Sequence, residues 1–324
     1  MDITRRHWML AIAGMVLPSF GSAQSASWPS RPIRLLAGGV GGVTDIRARW
    51  LGERLGHALG QPVVVENYAG AGGMVGAEQV ARSAPDGYTL LLTHQGIATI
   101  NPHLYARVGY DPLKDFAPVT RFGYGSLLLA VPASLPVSNV AELIQFAKAN
   151  PGKLNYGSPG IGTPPHLASE LFRRMAGIDV THVPYKGGGA LLAALLGGQI
   201  TWSMDGLTVQ VPHVRSGRLR ALGVTGTQRA SVLPDVPTIA QAGLPGYEFS
   251  GWTGIAAPAG TPQPVIARLY AEITRISASS EAREWFAANG AEPGALSPDA
   301  FGDYIRSEYV RWGKVIHDAG IKAE

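Results

Sequence analysis

The sequence predicts an α/β protein built as two α/β domains of similar size around a central cleft. Three observations predict it. Strand-like and helix-like segments alternate along the 324 residues, a rhythm that argues for sheets with helices on their faces. Glycine loops follow strands and precede helices in both halves, where open α/β sheets bind ligands. The length suits one large or two medium domains.

The first half begins with an apolar strand, Ile33–Ala37, and a glycine loop, Gly38–Thr44. Asp45–Leu59 follows as an amphipathic helix with Ile46, Trp50, Leu51, Leu55 and Leu59 on one face. Thr44 or Asp45 is expected to cap its start and Gly60 its end. Val63–Glu66 is the next strand, Gly70–Gly73 a second glycine loop, Met74–Ala81 a helix and Thr89–Thr93 a third strand. This β-α-β-α-β order predicts a parallel sheet.

The second half repeats the pattern. Gly125–Val131 reads as a strand and Val140–Ala149 as a helix, with Asn139 and Glu142 spaced as a capping box. The strand Leu154–Gly157, the loop Ser158–Pro164 and the helix Pro165–Ala176 come next. Val180–Val183 is a strand, and an Ala/Leu helix ends at Gly197-Gly198. Ile200–Met204 and Leu219–Val224 are strands, and Pro264–Ser277, Ser280–Asn289 and Pro298–Ala319 are helices.

Composition bounds the function. Net charge is +4 and no Lys/Arg run is interleaved with aromatics, which argues against nucleic-acid binding. There are no cysteines, so disulfides, Cys-based zinc sites and thiol nucleophiles are excluded. Arg5-Arg6-His7, the apolar run Trp8–Phe20 and the small residues Gly21-Ser22-Ala23 have the form of a secretory signal peptide over residues 1–23. Thr4-Arg5-Arg6 hints at twin-arginine export. The alternative is a short buried helix. No other apolar run reaches the ~20 residues of a membrane span.

The loops carry the candidate chemistry. In Gly38-Gly39-Val40-Gly41-Gly42-Val43-Thr44-Asp45 the glycines free backbone N–H groups. The following helix start adds unpaired donors and a partial positive charge. The loop either binds an anion or is a tight turn with Thr44 and Asp45 as caps. Gly157 to His166 has the same placement, with Ser158, Gly160, Gly162, Thr163 and His166 as candidate contacts and Pro165 suited to a helix first turn. Two such loops facing one cleft would hold two carboxylates. Asp205, after a strand, is read as a contact to a ligand hydroxyl, amine or water, or as a turn residue. Tyr185, Trp202 and Trp252 either stack on a ligand ring or pack around the cleft.

Enzyme patterns fail. Gly70-Ala71-Gly72-Gly73-Met74-Val75-Gly76 lacks the G-x-G-x-x-G spacing, and neither a phosphate-binding G-x-x-x-x-G-K-[ST] loop nor a G-x-S-x-G elbow occurs. The eight histidines show no paired metal-ligand spacing.

Short stretches along almost the whole mature chain resemble the Bug-type (TctC-like) extracytoplasmic receptors of tripartite tricarboxylate transporters. They include Trp28-Pro29-Ser30-Arg31-Pro32-Ile33-Arg34, Gly41-Gly42-Val43-Thr44-Asp45, Gly60-Gln61-Pro62-Val63-Val64-Val65-Glu66-Asn67 and Ala84-Pro85-Asp86-Gly87-Tyr88-Thr89-Leu90. Asn155-Tyr156-Gly157-Ser158, His182-Val183-Pro184-Tyr185-Lys186-Gly187 and Leu233-Pro234-Asp235-Val236-Pro237-Thr238 continue the ordered set. The resemblance implies a type II periplasmic-binding-protein fold with two hinge crossovers. One domain would comprise residues 28–124 plus 247–324, the other 125–246, with hinges near Gly123–Ser126 and Gly246–Ser250. It further implies that the loop ending at Thr44-Asp45 holds a ligand carboxylate, that Ser158–Thr163 holds the distal end, and that Asp205 lies at the cleft. The sequence departs from the family in Ala37-Gly38-Gly39-Val40-Gly41-Gly42, where a proline-rich segment usually precedes the paired glycines. It departs again at Thr93-His94-Gln95-Gly96, where His94 and Gln95 replace small hydroxyl residues and become candidate contacts.

The expected function is therefore capture of a small organic acid, such as a di- or tricarboxylate or an aromatic carboxylate. The bound acid would be delivered to the membrane subunits of a tripartite tricarboxylate transporter. The expectation includes a periplasmic location, no cofactor, no metal and a monomer. The alternatives are a Rossmann-like periplasmic enzyme and a ligand sensor for a signalling partner.

Overall fold

Apart from Arg34, Ile33–Ala37 (β1) is apolar and buried, with strands paired on both its edges. The computed structural model describes residues 28–318 and Ile321; the expected signal segment lies outside the described residues. After β1 come α1 (Val43–Leu59), β2 (Val63–Asn67), α2 (Met74–Ala81), β3 (Thr89–His94) and α3 (Asn101–Leu104). A π-helical turn over Gly96–Ile100 leads into α3. Next are β4 (Phe116–Gly125), β5 (Leu127–Pro132), α4 (Val140–Ala149), β6 (Asn155–Ser158), α5 (Pro164–Ala176), β7 (Thr181–Pro184) and α6 (Gly188–Leu196). The chain continues through β8 (Trp202–Gly206), α7 (Leu207–Arg215), β9 (Leu219–Val224), β10 (Gly251–Pro258), α8 (Gln263–Ser277), α9 (Ser280–Ala288), β11 (Glu292–Pro293) and α10 (Pro298–Asp318).

The strands form two sheets, ordered β11-β4-β10-β3-β1-β2 and β7-β6-β8-β5-β9. Neither is the purely parallel sheet expected. β10 runs antiparallel between β3 and β4, and β5 runs antiparallel between β8 and β9. The chain passes from the first sheet to the second between Gly125 and Leu127 and returns between Val224 and Gly251. On the return, Phe249 N donates to Thr225 O at 2.8 Å and the Tyr247 hydroxyl donates to Ala168 O at 2.9 Å.

β4, most of which lies outside the expected Gly125–Val131 strand, and β10 carry glycine and proline, which obscure a strand pattern. The β4–β10 ladder absorbs them with two register shifts that skip Val119 and Phe122, leaving Pro118 beside a bulge. Both skipped side chains are fully buried.

Helix starts follow the sequence unevenly. At α4 the Asn139 side chain accepts from Glu142 N at 2.8 Å, while Glu142 accepts from Ser138 N at 2.7 Å rather than from Asn139 N. At α1 the expected caps are corrected. Gly42 is the N-cap residue and supplies no side chain, and Thr44 and Asp45 lie inside the first turn. Gly60 ends α1 in the left-handed conformation, φ 70°, as expected.

The first sheet packs Ile33, Leu35, Trp50, Leu51, Phe122 and Phe286 into one apolar cluster. The second packs Tyr156, Phe172, Trp202 and Met204 together with Trp312 and Ile316 of α10. The C-terminal helix thus ties the two layers together.

Candidate functional site

A cavity of about 120 Å³ lies between the two sheets, next to both chain crossings. Its first wall is the glycine loop, the start of α1 and His94; its second is Thr163–Pro165 and Asp205–Thr208. Gly125–Leu127 and Gly251–Thr253, from the crossings, close the base.

The first glycine loop is held from outside the cavity. The Asp45 carboxylate accepts from Gly41 N at 2.9 Å, from Asn67 Nδ2 at 2.8 Å and from Arg49 Nε at 2.8 Å. Asn67 also donates to Gly38 O at 2.7 Å. Gly41 sits at φ 75°, which suits glycine. With Asp45 occupied, the start of α1 is left open. The N–H groups of Val43, Thr44 and Asp45 have no protein acceptor among the described residues, and the first bond into this end runs from Ile46 N to Gly42 O. Gly42, Val43 and Thr44 line the cavity. The partial positive charge of a 17-residue helix therefore faces it with free donors.

The second loop looks similar in sequence and differs in chemistry. The Ser158 and Thr163 hydroxyls both donate to Gly160 O, at 3.1 and 2.7 Å. Ser158 Oγ also bonds His182 Nε2 at 2.7 Å. The first two residues of α5 are Pro164 and Pro165, which have no N–H. The third donor, His166 N, is taken by Thr163 Oγ1, and Gly162 N donates to His166 Nδ1. This helix start has no free donor in its first three positions. It presents proline rings to the cavity instead.

Two buried ionisable side chains line the cavity without partners of opposite sign among the described residues. Arg47, 5% exposed, donates from Nη1 to Thr253 Oγ1 at 2.8 Å, and its Nε is enclosed with no partner. Burial lowers its pKa to about 10. Asp205 is 3% exposed; Oδ1 accepts from Gly206 N at 2.7 Å and Oδ2 has no partner. Burial raises its pKa to about 7, against the Gly206 hydrogen bond. Asp205 lies within β8, not after it. The start of α7 beyond it also lacks a side-chain cap.

His94 lines the cavity as a neutral ring, its pKa lowered to about 4 by burial. Its Nδ1 accepts from Gly96 N at 3.0 Å, which puts the ring proton on Nε2 as a donor.

Of the candidate contacts and aromatics named from the sequence, Gly39, Gly42, Val43, Thr44, His94, Thr163, Asp205 and Trp252 line this cavity. The others do not. Val40 is 65% exposed on the outer side of its loop. Gly41 and Asp45 hold the loop's shape. Gln95 donates to Glu308 at 3.2 Å. Ser158, Gly160, Gly162 and His166 satisfy one another. Tyr185 packs beside Leu191 and Leu195. Trp202 stacks on Tyr156 at 4.8 Å in the core, whereas Trp252 borders the cavity.

Arg47 was missed. Its signal was available: Arg47 stands three and four residues before Trp50 and Leu51, so it shares their buried face. A charge on that face demands a reason. Thr208, Ser126 and Asn289 were also missed, because they reach the cavity from a helix start, a chain crossing and a helix end far apart in sequence. No group of three His, Asp or Glu side chains suited to a metal occurs among the described residues.

The two walls touch across the mouth. Gly39, Gly41 and Gly42 approach Gly187, Gly188 and Gly189 so closely that a Cβ on Gly188 would lie 2.8 Å from Gly42 Cα. Val43 packs against Gly206, where a Cβ would meet it at 2.2 Å. This is a closed arrangement that only glycine permits.

Residues 47–321 match the family described as "Tripartite tricarboxylate transporter family receptor". The chain is 36% identical over 327 residues to Protein BugT of Bordetella pertussis, covering 99% of both chains. A structure of Rhodopseudomonas palustris Rpa4515 with adipate is 38% identical, with TM-score 0.89 over 91% of this chain and 99% of that one. MatC (Rpa3494) from the same organism, with bound malate, is 33% identical, with TM-score 0.85 over 89% and 100%.

Proposed function

The chain belongs to the tripartite tricarboxylate transporter family of receptors, and on that premise we propose that it is a periplasmic, non-catalytic receptor that closes around a small carboxylate. One carboxylate meets the open start of α1, and the rest of the ligand lies toward Asp205 and the proline wall. The observation that carries this reading is the set of unpaired donors at Val43–Asp45, at a helix start whose Gly42, Val43 and Thr44 line the cavity. The adipate and malate in the related structures support the ligand class. No helix of the described residues is long and apolar enough to cross a membrane, which fits an exported receptor that hands its ligand to separate membrane subunits.

Closure follows from the ligand touching both walls, because only a ligand with different affinity for the two states shifts their balance. The hinges lie near Gly123–Ser126 and Gly246–Ser250, between a domain of residues 28–124 plus 247–324 and a domain of residues 125–246. The receptor acts as a monomer. The test is calorimetry on protein unfolded, dialysed and refolded to remove copurified ligand. Its panel holds adipate, malate, citrate, benzoate and glutamate, with adipamide as the uncharged control. At least one acid binds and adipamide does not; a panel without heat, or equal binding of adipamide, overturns the reading.

A further inference from the structure

Arg47 is a buried cation whose burial no acidic partner explains among the described residues. A buried guanidinium ordinarily has a carboxylate or several carbonyl acceptors. Here one N–H meets a neutral hydroxyl, one face lies over the Phe286 ring at 5.6 Å, and no acidic side chain pairs with it among the described residues. Its position is fixed all the same. Thr253 donates its own proton to Gly123 O at 3.4 Å, which leaves a lone pair for Arg47. Thr253 pairs with His94 across the β3–β10 ladder. Arg47 lies one turn beyond Thr44 on α1, and a helical side chain leans toward the N-terminus.

The open donors of α1, a tethered cation and the Nε2 donor of His94 therefore share one wall of the cavity. All three are donors, and Arg47 adds a full positive charge.

We propose that Arg47 is a specificity-determining ligand contact: it forms a direct, charge-assisted hydrogen bond with the carboxylate held at the start of α1. This rests on the receptor reading above and sharpens it. The site then demands a formally charged head group, and a neutral polar head of the same shape is rejected. A site made of backbone donors alone would discriminate far less between an acid and its amide.

The test uses the full mature chain, refolded without ligand, and the tightest acid of the panel beside its amide. Arg47→Gln lowers affinity for the acid about a hundredfold, while the amide stays without measurable binding to either protein. Its ligand-free melting temperature stays level or rises, because an unpaired buried cation is removed. A merely structural arginine predicts the reverse, a lower melting temperature with acid affinity kept within about threefold, and that result overturns the proposal. Thr253→Val keeps the cation and loosens its tether; an affinity loss of about tenfold is expected. If Arg47→Gln does not fold, unchanged affinity in Thr253→Val overturns the proposal. Failure of every acid to bind the unaltered protein removes the receptor reading itself, an outcome distinct from binding that ignores Arg47.

Discussion

The starts of α1 and α5 look alike in sequence and are chemical opposites. Each follows a strand and a glycine-bearing loop, and each borders the same cavity. At α1 the N-cap is a glycine without a side chain, and the nearby carboxylate is turned outward onto Gly41, Asn67 and Arg49. At α5 the N-cap threonine bonds the helix, two prolines remove two donors, and His166 accepts from the loop. Open donors bind anions; a capped, proline-led start is a wall. Glycine content alone does not distinguish them. The destination of each donor does.

The contrast can be broken most severely at the mouth. Gly188→Val places a Cβ 2.8 Å from Gly42 Cα, while Gly188 itself has an ordinary helical backbone. The variant folds normally when open and cannot close. Affinity for the acid falls about a hundredfold with the ligand-free melting temperature little changed, read by calorimetry and thermal unfolding. Unchanged affinity would mean that closure over the glycine contact is not part of binding.

A smaller effect reads the buried ionisable groups of both walls by pH. Burial raises Asp205 to about 7, so the folded chain holds a proton there that the unfolded chain releases near pH 4. Its contribution to stability is fully present below about pH 4 and is lost as pH rises through about 7. His94 and His166, lowered to about 4, and His182, lowered to about 3, act in the opposite sense. Their contribution is present above about pH 6.5 and is lost as pH falls toward 3–4. Asp205→Asn should therefore stabilise the ligand-free protein at pH 8 relative to pH 4, measured as the difference in melting temperature from the unaltered chain. A difference that does not change with pH would show that Asp205 ionises normally.

The smallest effect belongs to α5. Thr163→Ala removes a cap and costs about 1 kcal/mol of stability, yet acid affinity stays within about threefold. A larger loss would show that the second loop donates to the ligand after all.

Much of this architecture is legible in the residues. β1, α2, α4 and β9 stand out because their apolar runs agree with neighbouring breakers: Gly38 after β1, Gly73 before α2, Asn139 before α4 and Gly217 before β9. β10 and most of β4 do not, because Pro118, Gly123 and Gly254 read as breaks until the antiparallel ladder and its bulges accommodate them. At the site, Thr44 and Asp205 could be nominated from their places beside strands. The silence of α5 was also readable, since Pro164-Pro165 removes two donors by covalent structure. Outward rotation of Asp45 was not, because it depends on Asn67, 22 residues away. Nor was the unpaired state of Arg47, which depends on what every neighbouring element withholds.

The account rests on where the carboxylate binds. Backbone amide shifts of the isotopically labelled, ligand-free protein during titration with the tightest acid test it most directly. The account predicts the largest ligand-dependent downfield shifts at Val43, Thr44 and Asp45, with the amides of Gly162 and His166 moving far less. Large shifts at Gly162 and His166 with still amides at the start of α1 would contradict it.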